Sequence, residues 1–296
     1  KILIVGFGSI GKKHFQACID LGCKTFIVSR SKSYQGDLNP NFINKEEVFN
    51  NIFDLVILCN NTNEHLKDLF YYYKFGKNFL VEKPLHFLKF KKSEIEKLKR
   101  MNNVYVGYNL RHLKITNFLK EMFLDKKIKA IYSQFWDNCI EWYNGMAIND
   151  SYVLNKKKGG GAFFTNFHEI DYIKYILSTE LKSCFWLPYF SDNKDLSADI
   201  YSSVSGTLNN ETIYSSSLWL LSSKRLRIGH AIIEHDHISW DIDKGKVWNN
   251  SNKLLFNTQP NYEKSYQLQI IDILSEEKSI SSTLKSNIND INKIFK

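Results

Sequence analysis

Long apolar runs are missing from this chain: none exceeds five residues, as in Leu55-Val56-Ile57-Leu58-Cys59, whereas a membrane-spanning helix needs about 20. Arginine is scarce. Of the 40 basic residues only five are Arg, at Arg30, Arg100, Arg111, Arg225 and Arg227. Proteins that read base edges favour the guanidinium fork, so the net charge of +9, carried by lysine beside an excess of Asn, Ile, Phe and Tyr, reflects composition rather than a nucleic-acid partner. The positive field still suits a phosphorylated small molecule. The five cysteines (Cys18, Cys23, Cys59, Cys139, Cys184) are odd in number and form no C-x-x-C pair. That argues against a disulfide framework or a zinc site and fits a reducing cytoplasm. The opening Lys1-Ile2-Leu3-Ile4-Val5 runs into glycine as a first strand does, and not as a secretory leader.

What is present is 296 residues, 43% hydrophobic and 24% charged, enough for one large or two moderate domains with real cores. Over roughly the first 110 residues β-rich runs at Ile2–Val5, Lys24–Val28, Asp54–Cys59, Asn78–Val81 and Val104–Gly107 alternate with helical spacing, including Ile95–Met101. That rhythm predicts a parallel, doubly wound sheet. A helical run at Ile115–Phe123 then leads into period-2 stretches near Ile128–Trp136, Cys184–Phe190, Tyr201–Leu208, Thr212–Leu220 and Arg225–Glu234, interrupted by a glycine-rich segment and helix at Gly159–Leu177. The tail returns to helical spacing at Tyr266–Leu274 and Asn287–Ile294. The expected division is a dinucleotide-binding domain over 1–115 and an α+β domain over 116–296, with the last helix returning to the first domain.

Gly6-Phe7-Gly8-Ser9-Ile10-Gly11 follows the first strand and opens the first helix, the context a G-x-G-x-x-G fingerprint requires. Gly6 permits the turn, Gly8 lets backbone amides approach a pyrophosphate, and Gly11 lets helix and strand pack closely. The second strand ends in Ser29-Arg30-Ser31-Lys32, without the carboxylate that accepts from the ribose 2′-hydroxyl of NAD. Hydroxyls and an Arg fork suit a 2′-phosphate, so NADP is expected ahead of NAD.

Three further clusters accompany this turn: Val81-Glu82-Lys83-Pro84-Leu85, Val106-Gly107-Tyr108-Asn109-Leu110-Arg111, and Gly159-Gly160-Gly161 running through Thr165 to His168-Glu169-Ile170-Asp171. With Asn60-Asn61-Thr62-Asn63-Glu64-His65, they make the chain resemble the Gfo/Idh/MocA oxidoreductase family along nearly its whole length. The resemblance implies a Rossmann domain followed by an α+β domain with a large, mostly antiparallel, open-faced sheet. It implies hydride transfer between a nicotinamide and a secondary alcohol or ketone of a sugar, cyclitol or nucleotide sugar, a role that reaches surface-polysaccharide pathways. The family's characteristic active-site lysine falls on Lys83, with a following Pro84 that can be cis.

The residues suggest the same chemistry. A Lys at the carboxyl end of a strand can hydrogen-bond a reacting hydroxyl and stabilise the developing alkoxide. His168 can take the hydroxyl proton, and Asp171, three residues on, can orient the imidazole or bind a sugar hydroxyl. Thr165 stands where the family often has an Asp. The cofactor-binding candidates are Gly6, Phe7, Gly8, Ser9, Ile10, Gly11, Ser29 and Arg30, joined by Asn60, Thr62, His65, Glu82, Lys83 and Asn109. The substrate-binding candidates are Lys83, Arg111, Trp142, Tyr152, Thr165 and His168, with Trp136 and Tyr143 nearby. His230, Glu234, His235, Asp236 and His237 look like ligands in isolation, but strand alternation splits them between faces, and no metal is expected. A homodimer or higher homo-oligomer through the open sheet face is implied by the resemblance, and Phe185, Trp186, Tyr201, Tyr214 and Trp219 could supply apolar contact there or fill an internal core. The alternative function is a non-catalytic sugar- or nucleotide-sensing protein on the same fold.

Overall fold

A computed structural model describes residues 1–30, 36, 38–142, 151–275 and 280–296. Two compact units emerge, one formed by Lys1–His86, Phe90–Asn109 and Tyr262–Ile288, the other by Phe87–Lys89, Leu110–Asn261 and Asn289–Lys296.

The first unit begins β1 (Ile2–Val5), α1 (Ser9–Asp20), β2 (Thr25–Val28), α2 (Lys45–Val48), β3 (Phe53–Leu58), α3 (His65–Tyr72), β4 (Gly76–Glu82), α4 (Lys92–Leu98) and β5 (Val104–Gly107). The first five strands are parallel and order as β5-β4-β3-β1-β2. Their apolar runs are continuous because helices cover such sheets on both faces. All of β1 is buried, and Ile2, Ile4, Ile27, Leu55, Ile57 and Leu80 pack with Phe7, Phe15, Ala17 and Cys18. The register pairs Val5 with Val28 and with Leu58, Leu58 with Val81, and Val81 with Val106. Every turn that follows these strands therefore leaves from one sheet edge. The helix expected at Ile95–Met101 runs from Lys92 to Leu98, because the Glu94 carboxylate accepts from the Lys91 N–H at 2.7 Å and starts it earlier.

The second unit adds α5 (Lys114–Phe123), β6 (Ile128–Asn138), α6 (Ala162–Thr165), α7 (His168–Ile176), β7 (Leu181–Phe190), β8 (Asp199–Leu208), β9 (Ile213–Trp219), β10 (Leu221–Ile233), β11 (Asp236–Asp241), β12 (Lys246–Trp248) and β13 (Leu254–Asn257). Its eight strands order as β13-β12-β11-β10-β6-β9-β8-β7 and pair antiparallel except for β6 with β9. β11 to β13 were not anticipated: their span carries many Asp, Asn, Gly and Lys residues, and only Ile238, Trp240 and Val247 alternate inward. The chain closes with α8 (Tyr262–Leu274), β14 (Ser282–Thr283) and α9 (Leu284–Ile294). Tyr266, Ile270 and Ile273 of α8 complete the first unit's core, and β14 pairs antiparallel with β5.

Alternation along β7 to β9 divides these aromatic residues between the two roles open to them. Trp186 stacks on Phe163 of α6, with centroids 5.2 Å apart, and Tyr214 is buried on that same face. Tyr214 belongs to the core, and half-buried Trp186 packs against α6 on that face. Phe185, Tyr201 and Trp219 do occupy the opposite face, where Leu187, Tyr189 and Ile213 are exposed beside them.

Candidate active site

The glycine turn is shaped by contacts that exclude any side chain. A Cβ on Gly6, whose φ is +95°, would meet the Asn60 Oδ1 at 2.6 Å, and one on Gly11 would meet the Gly6 carbonyl at 2.2 Å. Gly8 is different. Among the described residues nothing lies within 4 Å of its Cβ position, and no side chain caps the N-terminus of α1 behind it. Open space in front of unpaired helix amides is what a pyrophosphate requires, so these residues fit a dinucleotide. Ser9 is exposed and Ile10 half-buried, whereas the Phe7 side chain turns into the core and meets Phe15 and Phe42 edge-on. The turn sits between β1 and β3, where the strand order reverses, which is the usual crevice for a ligand. Ser29 and exposed Arg30 leave β2 at this edge without a carboxylate, while Ser31 and Lys32 lie outside the described residues.

Lys83 leaves β4 at the same edge, half-buried, through a cis bond to Pro84. Two buried histidines hold this turn. The His14 Nε2 lies 2.7 Å from the Glu82 Oε1, and the Lys83 N–H donates to the Glu82 Oε2 at 3.3 Å. Burial acts to raise the Glu82 pKa, but the His14 hydrogen bond and the charges of His14 and Lys83 outweigh it and hold the carboxyl below its ordinary range. His65, at the start of α3, places Nδ1 2.8 Å from the Pro84 carbonyl and Nε2 2.9 Å from the Asn60 carbonyl. Burial lowers its pKa, opposed by those carbonyls and by Glu82 and Asp68. Thr62 is buried in the single helical turn before α3. Asn109, just beyond β5, donates to the Ser265 Oγ of α8 at 2.9 Å, so its side chain fastens the end of β5.

In the second unit, His168 is the half-buried first residue of α7. The structure brings Asp171 together with Arg111: Nε and Nη2 donate to its two carboxylate oxygens at 2.8 and 2.7 Å. The pair is largely buried, and the guanidinium also lies over the Tyr175 ring. The anion expected to orient the imidazole is thus committed to an ion pair, and the cation expected to bind substrate is its partner. Of the three glycines before α6, Gly160 and Gly161 are dictated by close approach, and Gly159 has a positive φ of 83°. A Cβ on Gly160 would meet the Tyr152 carbonyl at 2.2 Å, and one on Gly161 the Asp199 Oδ1 at 2.0 Å. Asp199, which sequence reasoning missed, accepts from the Phe163 N–H at 3.0 Å and the Ser202 hydroxyl at 2.6 Å, and so caps α6. Its only sequence signal is an acid opening an apolar-alternating run. Thr165 is the buried last residue of α6, Tyr152 is half-buried in a short helical turn, and Trp142 donates to the Asp137 Oδ2 at 2.9 Å. Tyr143 lies outside the described residues.

Two polar groups were misjudged or overlooked. His230 and His237 stack across β10 and β11 with Nδ1 and Nε2 3.1 Å apart, while Glu234 and His235 form the turn. Among the described residues no three His, Cys, Asp or Glu side chains gather as a metal site. Glu169, next to the predicted His168, is fully buried with its Oε1 3.0 Å from the Arg227 Nε. Burial raises its pKa to about 7 despite that cation.

No protein-family model and no curated protein matches this sequence. Solved structures do match. A UDP-N-acetylglucosamine 3-dehydrogenase from Acidithiobacillus ferrooxidans superimposes with a TM-score of 0.78 at 11% identity, over 99% of this chain and 95% of that one. A levoglucosan dehydrogenase in complex with NADH gives 0.78 at 13% identity, over 99% and 95%. A myo-inositol 2-dehydrogenase from Lactobacillus plantarum gives 0.73 at 13% identity, over 98% and 93%. At this identity the likeness is one of fold, and it extends over nearly the whole chain.

Proposed function

We propose that this chain, which has the fold of the Gfo/Idh/MocA-type dehydrogenases, is an NAD(P)-dependent oxidoreductase acting on a secondary alcohol or ketone of a sugar, cyclitol or nucleotide sugar. One observation carries the reading: the open Gly8 position before an uncapped helix and the Lys83 turn leave the same edge of one parallel sheet. A sensor would need the first feature but not the second.

A bound nicotinamide supplies the carbon that accepts or donates hydride. Lys83 hydrogen-bonds the reacting oxygen through Nζ, stabilising negative charge as the alkoxide develops. His168 takes the hydroxyl proton on oxidation and returns it on reduction. Glu82, kept ionised by His14, supports the lysine's positive charge through its backbone neighbour. Arg111 and Asp171 act by fixing α7, the helix that His168 opens.

Exposed Arg30 after Ser29 supports NADP over NAD, since a guanidinium fork binds a 2′-phosphate and β2 does not run into an acid at Ser29-Arg30. The test is a parallel titration with NADPH and NADH by nicotinamide fluorescence, repeated on Arg30→Glu. Tight NADPH binding lost by about tenfold or more in the variant supports the assignment, a loss of about 1.4 kcal/mol or more. Equal binding of both nucleotides returns the choice to NAD, and binding of neither overturns the enzyme reading. Turnover is then screened on UDP-N-acetylglucosamine, levoglucosan, myo-inositol and D-galactose, substrates named for proteins of this fold. The open face of the second unit's sheet supports a homodimer, and the five free cysteines suit a reducing compartment.

A further inference from the structure

We propose that His65 is a positioning residue whose proton couples the glycine turn to the Lys83–Pro84 turn, an inference that rests on Lys83 as the reacting lysine. The path is continuous within the first unit. The Oδ1 and main-chain N of Asn60 stand 2.6 and 2.8 Å from the point a Gly6 Cβ would occupy, so Asn60 walls the glycine turn. Its side-chain amide is anchored by donating to the Asp68 Oδ2 at 2.6 Å. Its carbonyl faces the His65 Nε2 at 2.9 Å, while the His65 Nδ1 faces the carbonyl of Pro84, next to Lys83, at 2.8 Å.

Both partners are carbonyl oxygens, which only accept. A neutral imidazole carries one N–H and can satisfy one of them; the protonated ring satisfies both. In the neutral state a ring lone pair faces a carbonyl lone pair at a residue that is 2% exposed, where water cannot relieve the contact. The clamp is therefore complete only when His65 is protonated. The groups facing the ring pull in both directions. Asp68 of its own helix and Glu82 of β4 favour the charged ring; burial and the neighbouring His86 oppose it. Beyond Glu82, the His14 ring and the Lys83 charge compete for the same carboxylate. Protonation ties both turns to α3, and deprotonation releases one of them.

The first test needs no sugar. In the full chain saturated with NADPH, ¹⁵N spectra of the His65 ring are followed against pH with the backbone amides of Gly6 and Lys83. The expected result is two protonated ring nitrogens at acidic pH, one at alkaline pH, and both amides moving with the ring's midpoint. A ring that does not titrate while the protein stays folded, or amides that ignore its midpoint, overturns the coupling. His65→Asn keeps a donor near the Nδ1 position and His65→Gln near the Nε2 position, so each retains one arm. Both should lose the shared midpoint, read with NADPH at saturation. The kcat on a turned-over sugar of the screening panel should fall by about 10- to 100-fold, the cost of a misplaced reacting group. If both variants keep wild-type kcat while Lys83→Ala is inactive, the positioning role fails alone. If Lys83→Ala itself retains turnover, the catalytic reading fails, and the amide titration still decides the coupling.

Discussion

Lys83 is half-buried on a turn held by Glu82 and His65, and in the proposed reaction a lysine so placed would act on developing charge more than on ground-state binding. Lys83→Ala should therefore cut kcat by about 10²- to 10⁴-fold while NADPH affinity stays within about threefold. Stopped-flow absorbance and fluorescence titration measure the two quantities, and a matching loss in both would make Lys83 a binding residue instead. Residue-level legibility was uneven for a physical reason. Gly6 and Gly11 were readable because a backbone-imposed glycine leaves a spacing in the chain. The Arg111–Asp171 pair was not, because it joins residues 60 apart and each had its own plausible substrate role.

At the scale of one element, α7 is buried from Glu169 to Ile176, yet five of those eight positions carry polar or charged groups that must find partners. Glu169 faces Arg227 of β10, Asp171 faces Arg111, and Lys174 reaches Asp290 of α9 at 2.6 Å and Glu180 at 2.7 Å. The Tyr175 hydroxyl donates to the Asn117 Oδ1 at 2.6 Å, and Tyr172 is fully buried. Helical spacing placed His168 and Asp171 on one side but could not say which cations would meet the acids. Burial raises Glu169 from an ordinary 4.5 to about 7, so over that range the folded state holds a proton the unfolded state has lost. Its contribution to stability is present in acid and disappears as pH rises towards neutrality. Calorimetry should show the melting midpoint falling between about pH 5 and about pH 8, with Glu169→Gln flattening the fall by about 1–3 kcal/mol. An equally steep fall in the variant would assign the effect elsewhere. Asp290, raised by burial to about 6, acts in the same sense.

For the molecule as a whole, the open sheet face has the largest functional claim after the edge proposed to hold the cofactor. Phe185 and Leu187 are 66% and 70% exposed beside Tyr189 and Ile213, an apolar area suited to a second copy of the chain. Light scattering should give a dimer at micromolar concentration and a monomer for Leu187→Glu with unchanged circular dichroism; a monomeric wild type removes the dimer. The parallel sheet, the glycine turn, the helix it opens and the Lys83 turn could all be read from the chain, because short-range spacing and strand burial encode them directly. The outer strands β11 to β13, the inward facing of Trp186 and Tyr214, the Asp199 cap and the partners of Glu169, Asp171 and His65 were decided only in the folded state. Each depends on which distant residue comes within hydrogen-bond or packing distance, and no local periodicity carries that information.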